Sequence, residues 1–208
     1  MRVSKEPRER RNEILDTAEK FFAVKGYEQT TIVDILNEIG IAKGTFYYYF
    51  KSKEEVMDAI IMRIVTADAE AAKAIADSSD MPAIQKLLAI LFSQKPGPTD
   101  NKEALTEQFH QSGNAEMHQK TLVQTIKHLS PILTTVVEQG IDEGVMATPY
   151  PRETVDFLLA AGQVILDEGL FQWSAAETED RMKAFILVVE TSLGAEEGSF
   201  EQLMSVLM

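Results

Sequence analysis

The chain has 208 residues, 45% of them hydrophobic, no cysteine and a net charge of −13. A chain of this size and apolar content can bury a sizeable core, which argues against disorder, and without cysteine it can form neither disulfides nor thiolate metal sites nor cysteine nucleophiles. No apolar run reaches the roughly 18 residues of a membrane span, and the charged start (Arg2, Lys5, Glu6, Arg8) is followed by no signal-like apolar region. A soluble, cytoplasmic protein with no membrane association is expected.

The acidity is unevenly spread. Residues 1–53 carry 10 basic and 8 acidic side chains, a net +2, whereas residues 54–208 carry 10 and 25, a net −15. Screening over about 8 Å at physiological salt lets a local basic patch meet a polyanion despite acidic surface elsewhere.

In chain order, helical periodicity dominates and predicts an all-α protein of about nine to ten helices. The first helix runs from about Arg8 to Val24, with Ile14, Ala18, Phe21 and Phe22 as its apolar stripe and Gly26 as its stop. Thr31 with Asp34 forms a capping-box-like start for a second helix, in which Ile32, Ile35, Leu36 and Ile39 share a face. Gly40 ends that helix after about eight residues, and a third short helix starts near Lys43. Two short helices cannot hold together alone in water, so the first helix must complete their core, with Phe46 and Phe50 closing it. This spacing is that of a helix-turn-helix.

Ser52 with Glu55 caps a long helix to about Ala76, some 35 Å at 1.5 Å per residue. Further helices are predicted over about 81–93, 101–112 and 116–143, where Pro131 either kinks the last or starts a new one. A helix from about Arg152 to Trp173 and another over 177–193 follow. Ser199 with Gln202 caps a final short helix carrying Phe200, Leu203, Met204 and Leu207.

The run from Phe21 to Val56 resembles the N-terminal DNA-binding domain of the TetR (TetR/AcrR) family of bacterial regulators. The likeness rests on the turn at Phe22, Gly26 and Tyr27, the paired Thr30 and Thr31, and Gly40. It continues in the Lys43-Gly44-Thr45 start of the third helix and in Tyr47 to Phe50 followed by Lys53. Ala42 stands where the family often has Ser, and Tyr49 where His is common. The resemblance implies a helix-turn-helix DNA-binding domain over residues 1–53 and an effector-binding and dimerisation domain over 54–208. It also implies a transcriptional regulator, most simply a repressor, that binds a near-palindromic operator as a homodimer and is released by a small-molecule effector. The alternative is a DNA-bound scaffold that recruits a protein partner and takes no small ligand.

The expected DNA contacts are Thr31, Lys43, Gly44, Thr45, Tyr47, Tyr48, Tyr49 and Lys53. Helix N-termini and lysines suit phosphates, and short side chains at the start of the third helix suit base edges in the major groove. Thr31 also caps its helix, and Tyr47 and Tyr49 have core packing as the alternative. Arg8, Arg10 and Arg11 either reach nearby phosphates or the minor groove, or form a solvated tail.

For the effector pocket the candidates are Phe92, Phe109, His110, Met117, His118 and Trp173. For the dimer interface they are Leu158, Leu159, Ile165, Leu166, Met182, Phe185, Ile186 and Val189, on two helices that suit half of a four-helix contact about a two-fold axis. His110, His118 and His128 lack a zinc-type i, i+4 spacing, and no P-loop, GxSxG or HExxH motif occurs. No metal, cofactor or catalytic residue is therefore expected.

Overall fold

The computed structural model of the chain describes residues 6–94, 115–167 and 170–204, which hold eight α-helices and one 3₁₀ turn. The helices are α1 (Pro7–Lys25), α2 (Ile32–Ile39), α3 (Lys43–Tyr49), α4 (Lys53–Ala76), α5 (Ala83–Ser93), α6 (Ala115–Asp142), α7 (Pro151–Ile165) and α8 (Ala175–Leu193), with the 3₁₀ turn at Glu201–Leu203. The helix expected over 101–112 lies outside the described residues.

The described residues form two compact units, and α4 and α6 each contribute to both. The first holds everything up to Ile64 and the start of α6 as far as Gln119; the second holds the rest. The division thus falls inside α4, eleven residues beyond the 53/54 boundary expected from the sequence. Its physical basis is that Val56, Met57, Ile60 and Ile61 are buried along the first half of that helix.

In the first unit, Pro7 occupies the first position of α1, where its missing N–H costs nothing, and Glu6 and Glu9 cap the helix reciprocally. Ile14, Leu15, Ala18 and Phe22 are buried along α1, Ile35 and Leu36 along α2, and Phe46 and Phe50 at α3. Two links fasten α4 here. Arg63 forks onto Asp16 and Glu19 of α1, and the Lys53 ammonium meets the Tyr27 carbonyl at 2.8 Å and lies 4.1 Å from the centre of its ring.

The second unit has its own core, built around Leu87, Ile90, Leu133, Val136, Val137, Val155, Ile186, Val189, Leu193 and Phe200. Pro131 lies exposed within α6, which continues through it to Asp142. A buried ammonium joins three helices: Lys86 of α5 donates to the Ala76 carbonyl at the end of α4 (2.6 Å) and to the Gln139 side chain of α6 (2.8 Å). Glu143 accepts from the same Gln139 and from the Ala83 N–H that opens α5. At the end of α8, Gly194 has φ +62°, and a side chain there would meet the Ala147 carbonyl oxygen at 2.4 Å, so only glycine fits.

One expectation is corrected and another is described only in part. The helix predicted to reach Trp173 ends at Ile165, because Asp167 draws the chain into a turn and the Trp173 indole N–H takes the freed Ile165 carbonyl at 3.1 Å. Of the final short helix expected, Glu201–Leu203 form a 3₁₀ turn that begins after Phe200 without a side-chain cap, Met204 is helical, and residues 205–208, Leu207 among them, lie outside the described residues. The Phe200 N–H is held by the buried Glu190 carboxylate at 3.0 Å.

Candidate nucleic-acid interface

The recognition segment begins with α2, whose start is locked by a reciprocal cap. Thr31 accepts from the Asp34 N–H at 3.2 Å, while the Asp34 carboxylate accepts from the Thr31 N–H and hydroxyl at 2.8 and 2.9 Å and from Lys25 at 2.7 Å. The Lys25 hydrogen bond, followed by those from Thr31, holds the Asp34 carboxyl down at about 2, below the ordinary 3.8. Gly40, at φ +72°, takes the left-handed cap conformation that ends α2. The neighbouring Thr30 is buried and donates to the Gly26 carbonyl at 2.8 Å, which fixes the turn between α1 and α2.

Because residue 42 is alanine, α3 begins without a side-chain cap. One face of α3 is anchored by Phe46, fully buried, with Phe50 behind it at 6.1 Å between ring centres. The opposite face is open: Lys43 and Gly44 are exposed, Tyr47 is 44% and Tyr48 78% exposed, and Thr45 and Tyr49 are half-buried. Tyr49 packs edge-on against Tyr48 at 4.9 Å, and Lys43 lies 5.7 Å from the Tyr47 ring. Lys43, Gly44, Tyr47 and Tyr48 therefore form one exposed strip. Lys53 stands apart from them, half-buried against Tyr27. That tyrosine's hydroxyl is pushed up by burial and then by the Glu54 and Glu28 carboxylates, so it stays neutral.

Of the expected pocket residues, His118 belongs to the first unit and Phe92 and Trp173 to the second. Phe109 and His110 lie outside the described residues, as does the side chain of Met117. Phe92 is 40% exposed on α5, and His118 is buried on α6. Trp173 is used by its own chain: it stacks on Phe171 at 5.0 Å, receives the Arg181 guanidinium at 3.5 Å and spends its N–H on Ile165. A small cleft lies among Val65, Asp68 and Ala69 of α4, Gln94 after α5, and Thr125, His128 and Leu129 of α6. His128 holds the Gln124 carbonyl through Nδ1 at 2.9 Å. The signal for this cleft was in the sequence as two polar-apolar clusters at helical i, i+3, i+4 spacing, yet only tertiary packing brings them face to face.

The expected dimer residues also separate by burial. Met182, Ile186 and Val189 are enclosed by their own chain, and Leu158, Leu159 and Phe185 pack against the core; Leu166 is half-buried. Ile165 alone of the eight is exposed. The open apolar strip runs along Phe157, Ala161 and Ile165 of α7 and Ala184, Leu187 and Val188 of α8, which a count of apolar residues could not separate from the buried face.

Among the described residues no group of three or more His, Cys, Asp or Glu could hold a metal, and no helix is long and apolar enough to cross a membrane. A short capped helix, a left-handed glycine turn and a second short helix with a basic and aromatic open face define a helix-turn-helix transcriptional regulator. Residues 14–60 match the family described as bacterial regulatory proteins, tetR family, and residues 99–188 match the tetracyclin repressor-like C-terminal domain. The chain belongs to the TetR family.

It is 26% identical over 174 residues to the fatty acid metabolism regulator protein of Bacillus subtilis, covering 81% of this chain and 86% of that one. It is 39% identical to the transcriptional repressor KstR2 of Mycolicibacterium smegmatis over 56 residues, 27% of each chain. In fold it resembles SmeT, the repressor of the Stenotrophomonas maltophilia multidrug efflux pump SmeDEF, with a TM-score of 0.62 at 21% identity over 91% of this chain and 92% of that one. SmeT has also been solved as a complex with triclosan, and that structure gives a TM-score of 0.61 at 20% identity over 92% and 94% of the two chains.

Proposed function

We propose that this regulator is a ligand-responsive repressor that binds a near-palindromic operator as a homodimer and leaves it when a small effector binds. The observation that carries the reading is the division of α3 into a buried aromatic face and an open strip. Along that strip Lys43 and Tyr48 reach phosphates, and Gly44 and Thr45 approach base edges in the major groove. Thr31, Tyr47, Tyr49 and Lys53 are assigned supporting contacts, with Thr31 and Lys53 also holding the frame through Asp34 and Tyr27.

A second copy is assigned to the open α7–α8 strip, where an isologous contact pairs each patch with itself. In such a dimer the two recognition helices meet half-sites about one DNA turn apart. The effector is assigned to the second unit, whose cleft beside Asp68 and His128 is bordered by α4; the binding of triclosan by SmeT, a regulator of the same fold, supports a small-molecule effector. A ligand that shifts α4 acts on the DNA-binding unit through the Arg63 fork and the Lys53–Tyr27 contact, and a coupling of about 1–3 kcal/mol gives roughly 5- to 150-fold release.

The test is selection of duplexes from a random pool with the purified protein, followed by anisotropy titration of the winner. Enrichment of a two-fold symmetric site, bound by two protomers with steep salt dependence, is the expected result. A folded protein that enriches no duplex would overturn the reading.

A further inference from the structure

We infer that the Arg8–Arg11 face of α1 is a second phosphate-binding strip, which grips the DNA backbone beside the C-terminal end of the recognition helix, and that Arg10 takes no part in it. The inference rests on the DNA-binding reading above and extends it to a different helix. In the sequence the three arginines look equivalent. In the structure they do not, because α1 starts at Pro7 and places all three on a helix, with Arg8 and Arg11 three residues apart on one face.

Arg10 points its guanidinium at Glu13 and is neutralised there. The other carboxylates of α1 are also committed: Glu6 and Glu9 cap the helix, and Asp16 and Glu19 hold Arg63. Arg8 and Arg11 are exposed, and neither has a carboxylate partner among the described residues. Cations in the first turns of a helix also run against its dipole, so this placement does not serve α1 itself.

Position supplies the rest. The Arg11 guanidinium lies 4.9 Å from the centre of the Phe50 ring, and Phe50 is the buried residue that caps the end of α3. This contact holds the guanidinium beside the end of the helix that carries Tyr47 and Tyr48; Lys51, which follows Phe50 in the chain, is exposed. A planar guanidinium held in place matches the bidentate geometry of a phosphate.

The experiment uses the full chain and the duplex enriched by selection, with affinity measured by anisotropy between 50 and 200 mM salt for Arg8→Met, Arg11→Met, Arg10→Met and Arg11→Lys. Each lost phosphate contact reduces the slope of log K against log salt by about 0.9, so about 1.8 is expected for a residue present twice in a bound dimer. Arg8→Met and Arg11→Met should each lose that amount, Arg11→Lys should retain most of the slope, and Arg10→Met should leave it unchanged. Methionine keeps the aliphatic cover on Phe50, so an unchanged thermal midpoint separates lost contact from lost fold. Wild-type slopes in both Arg8→Met and Arg11→Met, alongside a reduced slope in Lys43→Ala, would overturn this inference and leave the DNA-binding reading standing. Equal losses in Arg10→Met and Arg11→Met would overturn it too, since net charge alone would then be acting. No binding of any duplex by the wild type removes both readings.

Discussion

Gly44 shows how a single residue reports on an absent partner. It sits inside α3 at a negative φ, and a Cβ built there meets nothing within 4 Å, so neither backbone nor packing within the chain requires glycine. Glycine inside a helix costs about 0.5–1 kcal/mol relative to alanine. The fold tolerates that cost without any return from its own contacts, which fits a surface that DNA approaches closely. Gly44→Ala is therefore expected to raise stability by about 0.5–1 kcal/mol and to weaken operator binding, read by chemical denaturation and anisotropy on the same protein. A stabilised variant with unchanged affinity would remove Gly44 from the interface. Tyr48, 78% exposed on the same strip, has the same logic in reverse, since the edge-on contact with Tyr49 covers only part of its ring.

At the scale of elements, the short α2 depends on its cap. Eight residues are too few to persist alone, and Asp34 gathers the Thr31 N–H, the Thr31 hydroxyl and Lys25 on one carboxylate. Its folded-state carboxyl lies at about 2, below the ordinary 3.8. A depressed carboxyl contributes stability that is fully present above the unfolded value and lost as pH falls through the folded one. The Asp34 contribution is thus expected to hold above about pH 5 and to fade between about pH 4 and pH 2. Thermal unfolding of the wild type and of Asp34→Asn across pH 2–7 should show a gap that closes over that range; a gap independent of pH would show that the charge is not what holds the cap. Lys86 plays the corresponding part for α4, whose last carbonyl it ties to α6 through Gln139. Helical spacing puts Lys86 on the buried face, three residues after Ala83 and four before Ile90, but gives no sign of the distant Ala76 carbonyl and Gln139 side chain that satisfy its charge.

At the scale of the whole molecule, the proposed dimer turns on which apolar residues the chain keeps for itself. Phe157 is 74% and Leu187 56% exposed, whereas Met182 on the same helix as Leu187 is 3% exposed. Phe157→Glu with Leu187→Glu is expected to yield a folded monomer by sedimentation and to reduce operator affinity at least 10-fold, since each half-site is then bound alone. Met182→Glu should instead unfold the chain, by forcing a carboxylate into a core that has no partner for it. A double variant that stays dimeric would move the interface elsewhere.

The sequence by itself determined the helix-turn-helix and most helix starts. Those features are local: capping residues, left-handed glycines and an apolar stripe act within a few residues of one another, so Thr31, Gly40 and Ser52 mark their elements wherever the chain goes. It also determined part of the open strip of α3, because burying Phe46 turns Gly44 and Tyr48, each two residues away, to the other side of the helix. Tertiary structure decided the rest. It set the end of α7 through an indole eight residues away, the pairing of Arg10 but not Arg11, the cleft between α4 and α6, and the face of α8 left open. Each of these depends on which of several similar residues meets a distant neighbour, and periodicity carries no record of such neighbours.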